Sequence, residues 1–260
     1  MKEENVIIVI PAKSTSKRLE RKNFLKIGGI FNSMTLIDIA VSRSKNLRKD
    51  FDCDIVVSFD NFQDLEKYRN ENKDVHIFSI VRGDRVNNDS ARAFEVCIDA
   101  IFRMHDVDDV EYTTLIMTLP TSPFCSVKNI KEAYQMFLDN SRSPVMSVTK
   151  IDFNPNTISW IQNCVIFPYI DKSGYFWKSD FVRSDGDKNF CLSNGAIWIV
   201  DVQQLLNEKE QYIDGTIAYE TNKINGFDIN TKEDFEIAVA LSKYRKERLI
   251  EKISRRMFSE

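Results

Sequence analysis

Glycine is scarce in this chain: eight in 260 residues, and none before Gly28. That absence excludes a Walker phosphate loop, Gly-x-x-x-x-Gly-Lys-Ser/Thr, and the Gly-x-Gly-x-x-Gly dinucleotide turn, both of which need glycine where a strand runs into its first helix. Histidine is scarcer still. His76 and His105 are the only two, which leaves no triad and no zinc site, and both read as structural. The five cysteines, Cys53, Cys97, Cys125, Cys164 and Cys191, are odd in number and form no Cys-x-x-Cys, so they read as reduced thiols of a cytoplasmic protein. No run of about 18 uncharged apolar residues occurs, and Met-Lys-Glu-Glu-Asn leads straight into a strand, so neither a membrane span nor a leader is expected. The formal net charge is only −3, which gives no global field for nucleic acid or an anionic membrane.

Against these absences one segment stands out. The apolar run from Val6 to Ile10 stops at Pro11 and passes into a cationic, hydroxylated loop. Lys13, Lys17, Arg18, Arg21 and Lys22 lie within ten positions, with Ser14, Thr15 and Ser16 among them. A buried strand ending in such a loop brings N–H groups, hydroxyls and ammonium groups to one point, as a polyphosphate requires. A solvated basic turn after an edge strand has the same composition. In a mildly acidic protein, a local basic loop suits a small anionic ligand better than a polymer.

Hydrophobic periodicity predicts strands over 6–10, 54–58, 76–80, 114–119 and 145–149, alternating with helices over 36–44, 62–70, a long one capped by Asn88 or Asp89, and 127–138 capped by Ser126. Strands separated by single helices imply parallel pairing in a doubly wound, mostly parallel sheet between two helical layers, a three-layer αβα architecture. The loops at 11–23, 59–61, 81–90 and 120–125 all follow strands and should share one rim, where such sheets bind ligands. The pattern breaks over 152–191, where Trp160, Phe167, Tyr169, Tyr175, Phe176 and Trp177 crowd short polar stretches. This reads as a β-rich excursion from a single 1–260 domain, either a lid or a dimer surface. Strands at 195–200 and 224–229 follow, and Thr231, with Asp234 three residues on, caps a charged C-terminal helix. Asp52-Cys53-Asp54 has the form of an Asp-x-Asp sugar-nucleotide motif but precedes its strand, so chance explains it better.

Six segments in order then resemble the cytidylyltransferases that make CMP-activated 3-deoxy sugar acids, chiefly CMP-sialate synthetases. They are Pro11-Ala12-Lys13-Ser14-Thr15-Ser16-Lys17 with Lys22-Asn23; Val57-Ser58-Phe59-Asp60; Arg82 through Asp89; Leu119-Pro120-Thr121-Ser122-Pro123; Asn194-Gly195-Ala196-Ile197-Trp198; and Asp228-Ile229-Asn230-Thr231. The resemblance implies a nucleotide-diphospho-sugar-transferase-like fold. It implies transfer of CMP from CTP to the anomeric hydroxyl of a sialic-type nonulosonic acid, with release of pyrophosphate, for surface-glycan biosynthesis.

By position in those motifs, Pro11, Ala12, Lys13, Ser16, Lys17, Lys22, Asn23, Arg82 and Asp89 would bind the nucleotide. Lys22 and Asp228 would be catalytic, Asp228 and Asn230 would hold Mg²⁺, and Thr121, Ser122, Arg183 and Asn194 would face the acceptor. A homodimer is the common state of such proteins. The chain departs from the family's pattern at Lys13 (arginine there), Thr15 (glycine), Leu119 (glutamine), Cys125 and Leu192 (arginines) and Asn230 (aspartate). These departures leave two alternatives: a different acceptor, or a non-catalytic relative that binds nucleotide or scaffolds a partner.

Overall fold

The computed structural model describes residues 4–72, 77–88, 90–152, 158–168 and 190–257. In chain order the elements are β1 (Val6–Ala12), β2 (Lys26–Ile27), β3 (Met34–Thr35), α1 (Leu36–Leu47), β4 (Cys53–Phe59), α2 (Phe62–Glu71), β5 (Ile77–Val81) and α3 (Ala93–Asp108). They continue with β6 (Thr114–Met117), α4 (Val127–Asp139), β7 (Val145–Lys150), β8 (Ser159–Gln162), β9 (Val165–Pro168), β10 (Cys191–Asp201), α5 (Val202–Glu208), β11 (Ile217–Thr221) and α6 (Lys232–Met257).

Seven strands form the central sheet in the order β11-β7-β10-β6-β1-β4-β5. All neighbours are parallel except β10, which runs antiparallel to both β6 and β7. A continuous apolar strand covered on both faces is what the middle of such a sheet demands. In β1, Ile8, Ile10 and Ala12 enter one core layer with α1 and α4, while Ile7 and Val9 enter the other with α3. Each of the four β1 isoleucines and valines from Ile7 to Ile10 is fully buried, worth about 1.5–3 kcal/mol apiece relative to exposure. A third apolar cluster, Ile27, Leu36, Ile39, Phe124, Ile229 and Ala238, fastens α6 against the first part of the chain.

Local chemistry sets several boundaries, at Ser126 and Thr231 as the sequence suggests and at Thr35 in addition. Thr35, Ser126 and Thr231 each accept the backbone N–H three residues on, and Asp38, Asn129 and Asp234 return the bond. The cap of α3 is Arg92, whose N–H donates to Glu95 at 2.6 Å, beyond the expected Asn88 or Asp89. The expected strand at 224–229 is instead a turn. Asn222 Oδ1 accepts from the N–H of Ile224 and Asn225 and ends the chain's extension there. The last strand is β11, and α5 supplies a short helix that the periodicity does not signal. Within the 152–191 excursion the described residues include the β8–β9 hairpin, a separate two-stranded sheet, while Cys191 already belongs to β10 of the central sheet. Among the described residues no helix is long and apolar enough to cross a membrane.

Candidate active site

The chain leaves β1 toward β4 and β5 on one side, then returns to β6 on the other. The carboxyl ends of β1 and β6 therefore bound the topological switch point, the place where such sheets open a crevice. Pro11 and Ala12 are the last two residues of β1, in register with Ser58 and Phe59 of β4.

The loop that follows is tied down at several points. Asn23 Nδ2 donates to the Lys13 carbonyl at 2.8 Å, closing residues 13–23 on themselves. Ser14 and Thr15 donate to the Asp60 carboxylate through both their N–H groups, at 2.9 and 3.1 Å, and through their hydroxyls, at 2.9 and 3.0 Å. Burial alone would raise the Asp60 carboxyl, but those donors outweigh it and hold it below the ordinary carboxylate range. The loop's positive-φ residue is Arg21 (φ 49°), which pairs with Asp64 at 2.6 Å and lies over the Phe24 ring, so Arg21 anchors the loop. Thr15 does not take a positive φ.

The remaining loop cations face the cleft's other elements. Lys13 Nζ donates to the Asn88 carbonyl at 3.4 Å, Lys22 Nζ to the Ile229 carbonyl at 3.1 Å, and Lys17 is exposed beside the half-buried Ser16. Burial lowers the Lys22 ammonium, partly offset by the nearby Asp228 carboxylate. Arg82 is buried behind the loop. Its guanidinium donates to the Ser58 hydroxyl and carbonyl, both at 3.2 Å, with no ion pair among the described residues. Burial lowers its pKa as well. Asp89 and Arg183 lie outside the described residues.

Across the crevice, Ile229 N–H donates to the Thr121 carbonyl at 2.9 Å and joins the 228–230 segment to the loop after β6. Asp228 Oδ2 accepts from Asn230 Nδ2 at 2.7 Å, while its buried Oδ1 has no partner among the described residues. An orphaned carboxylate oxygen is a fitting donor for a hard cation. No group of three or more His, Cys, Asp or Glu forms a complete metal cage among the described residues. Asn230 Oδ1, the atom expected at the cation, accepts from Arg18 at 2.6 Å, so both ends of this amide are occupied by protein.

Thr121 and Ser122 are buried in the loop after β6, and the Ser122 hydroxyl lacks a partner among the described residues. Asn194 uses its full hydrogen-bonding capacity internally. It accepts from Ser147 Oγ and Ala196 N–H, and donates to the hydroxyls of Thr149 and Thr221. It shapes the wall and offers the cleft no further bond. That cleft, about 730 Å³, is lined by Leu119, Leu192, Asn194, Gly195, Phe227 and Asp228 among others. Lys150 and Lys223 stand at its rim, paired with Glu220 and Asp152.

Two contributors had no assigned role from sequence. Asp60 organises the cationic loop. Arg43, buried on α1, donates to the carbonyls of Ser122, Cys125 and Leu119 and to the Thr118 hydroxyl, so one side chain sets the whole turn after β6. An arginine within the otherwise apolar helical spacing Leu36, Ala40, Arg43, Leu47 was the available signal.

The chain resembles known proteins along most of its length. It is 28% identical over 235 residues to an N-acylneuraminate cytidylyltransferase of Streptococcus agalactiae serotype V, covering 88% of this chain and 51% of that protein. The chain thus spans about half the length of the first curated relatives it matches. It is 26% identical over 252 residues to the CMP-N,N'-diacetyllegionaminic acid synthase of Legionella pneumophila, with 94% and 99% covered. Among solved structures, a CMP:2-keto-3-deoxy-manno-octonic acid synthetase complexed with CTP superposes with a TM-score of 0.65 at 14% identity, covering 93% of this chain and all of that one. A 4-diphosphocytidyl-2C-methyl-D-erythritol synthase from Anaerococcus prevotii superposes at 0.56 and 13% identity, covering 92% and 98%. At those identities the likeness concerns the fold: a three-layer α/β nucleotidyltransferase architecture. The cytidylyltransferase family model matches residues 7–183, well over half of the sequence, and the chain belongs to that family.

Proposed function

We propose that the protein joins CTP to the anomeric hydroxyl of a 3-deoxy nonulosonic acid of the sialic or legionaminic type, releasing pyrophosphate. The observation that carries this reading is that Lys22 of the cationic loop reaches the 228–230 segment, its Nζ donating to the Ile229 carbonyl at 3.1 Å, beside a cleft-lining Asp228 whose buried Oδ1 has no partner among the described residues. The relatives named above, cytidylyltransferases and a CMP-legionaminic acid synthase, support the substrate classes.

In this reading the reaction is displacement at the α-phosphorus. Catalysis then rests on alignment and on neutralising charge at the bridging and leaving oxygens. Lys17 and Lys22 hold the β- and γ-phosphates, because a flexible ammonium can follow a departing pyrophosphate. Asn23 and Ser16 orient the phosphates, and Pro11, Ala12, Lys13, Arg82 and Asp89 hold the cytidine end. Asp228 would hold Mg²⁺ through Oδ1, with Asn230 fixing the carboxylate. A cation held there would supply charge neutralisation to the triphosphate. The acceptor lies in the cleft between Leu119, Leu192 and the 121–122 turn, with Arg183 as a candidate for its carboxylate. The 152–191 excursion serves as lid or dimer contact, and the enzyme works as a cytoplasmic homodimer in surface-glycan biosynthesis.

A second reading keeps the nucleotide chemistry and changes the acceptor. It is favoured by one observation: two leucines, Leu119 and Leu192, line the cleft where hydrogen-bonding groups would hold a polyhydroxylated acid. Pyrophosphate release with each of the four nucleoside triphosphates and Mg²⁺, against a panel of nonulosonic acids and other hydroxylated acceptors, decides between them. CTP-dependent release with a nine-carbon acid is the expected result. Release only with another acceptor establishes the second reading, and no release with any pair defeats both.

A further inference from the structure

Asp60 sits at the end of β4, 6% exposed, and gathers the two N–H groups and two hydroxyls of Ser14 and Thr15 on its carboxylate, each at 2.9–3.1 Å. Consecutive backbone N–H groups at a strand end form an anion nest, the feature by which many loops hold a phosphate. Here the nest is filled by the protein's own anion. The carboxylate is itself pinned from behind. Its residue follows Phe59, which pairs with Ala12 of β1, the Phe59 carbonyl accepts from Arg82 N–H at 2.9 Å, and the Asp60 carbonyl accepts from Asn87 Nδ2 at 2.7 Å. Asn61 Nδ2 adds a bond of 2.8 Å to the Ser14 hydroxyl. Three chain segments, 13–16, 59–61 and 82–88, thus meet on one residue that has no place in the chemistry proposed above.

We infer that Asp60 is the positioning residue of the phosphate loop: it occupies the loop's first amide N–H groups, sets the loop in its nucleotide-binding shape before any ligand arrives, and leaves phosphate capture to the lysine side chains. The inference rests on the nucleotide reading of that loop. Charge-assisted bonds from four donors make the arrangement stiff, and a loop fixed in advance binds without the cost of ordering it. It also accounts for Thr15 in place of glycine. The threonine adds the fourth donor, its backbone needs no positive φ, and its exposed side chain contributes no core packing.

The test compares CTP dissociation constants by calorimetry, with Mg²⁺, on the full chain. Thr15→Val removes one donor from an exposed position without removing core contacts, and should weaken CTP binding by about 5-fold. Thr15→Ser restores the hydroxyl and should stay within about 2-fold of the parent. Asp60→Asn removes the charge and replaces one of two acceptor oxygens facing Ser14 and Thr15 by an NH2 donor, and should weaken CTP by more than about 10-fold. In all three, the acceptor KM measured at saturating CTP should stay within about 2-fold, a split that general loosening of the fold would not produce. Should Asp60→Asn fail to fold, the Thr15 pair decides alone. Thr15→Val and Asp60→Asn variants that fold and bind CTP as tightly as the parent, or more tightly, overturn the inference while leaving the nucleotide reading intact. A parent chain that binds no CTP overturns both.

Discussion

Lys22 carries the sharpest consequence at the scale of one residue. Burial lowers its pKa, and Asp228 only partly offsets this. A lysine lowered on folding holds its charge less favourably in the native state than in the unfolded chain. The native protein is therefore relieved, and stability rises, as pH climbs through the window between the lowered value and the ordinary lysine range; below that window the cost is fully present. Nucleotide binding has the opposite requirement, since only the ammonium neutralises phosphate. The alkaline limb of CTP affinity should therefore fall below the ordinary lysine range. Lys22→Arg should move that limb upward, and Lys22→Ala should lower turnover by at least about 100-fold while leaving the circular-dichroism spectrum unchanged. A near-normal rate for Lys22→Ala removes the residue from the site. Arg43 is the structural counterpart. It satisfies three carbonyls and a hydroxyl from a position where burial also lowers its pKa. Arg43→Met fits the apolar surroundings but orphans those oxygens, so urea unfolding should show a loss of about 2–4 kcal/mol. A loss under about 0.5 kcal/mol would mean the turn after β6 holds its shape without the guanidinium.

Among the elements, β10 joins the fold to the cleft. It is the antiparallel member of the sheet, and its pairing with β7 shifts register between Ser193 and Trp198. Gly195 sits in that irregularity with φ +69°, and a Cβ there would come within 2.8 Å of a Leu119 methyl. Leu119 is flexible at that end, so the backbone angle dominates the cost. Gly195→Ala should destabilise by about 1–2 kcal/mol in denaturant titration, and Leu119→Ala in the same chain should recover only a small part. Full recovery would assign the cost to the contact instead. The same strand shows what could be read from sequence. Continuous apolar runs such as Val6–Ile10 specify buried parallel strands almost unaided, and Ser126 and Thr231 announce their helices because capping is local chemistry. The irregular part of β10 after Ser193 depends on Asn194, whose partners Ser147, Thr149 and Thr221 arrive from two other strands. Such a position has no local signature. The 224–229 segment misled for the converse reason: Ile224, Phe227 and Ile229 suggest a strand, yet Asn222 turns the chain locally and Ile229 is drawn into the α6 cluster.

For the molecule as a whole, the cationic-loop side of the cleft carries more sequence signal than the side of Leu119 and Leu192, where the proposed acceptor would lie. Loop cations and the Asp228 segment lie in ordered motifs, whereas Asp60 and Arg43 act through contacts between segments 46 and about 80 residues apart, which no window of sequence displays. On the side of the proposed acceptor, charge and apolar surface lie next to each other. Lys150 and Lys223 stand at the rim in ion pairs with Glu220 and Asp152, while Leu119 and Leu192 present an apolar wall. Leu192 is 57% exposed, so changing it costs little stability and reports on the cleft directly. An arginine there would restore a planar donor pair able to grip a carboxylate. If the leucine wall sets the acceptor, Leu192→Arg should raise kcat/KM for a sialic-type acid by about 10-fold or more, equivalent to about one well-made charged hydrogen bond, with the CTP KM unchanged. Adding Leu119→Gln should extend the gain more than additively, because both side chains line one cleft. Initial rates of pyrophosphate release with the acid varied at saturating CTP measure both effects. A shift in CTP affinity instead would move Leu192 to the nucleotide side. An unchanged kcat/KM in both variants would mean that the acceptor is selected elsewhere, with the 152–191 excursion and its Arg183 as the next place to search.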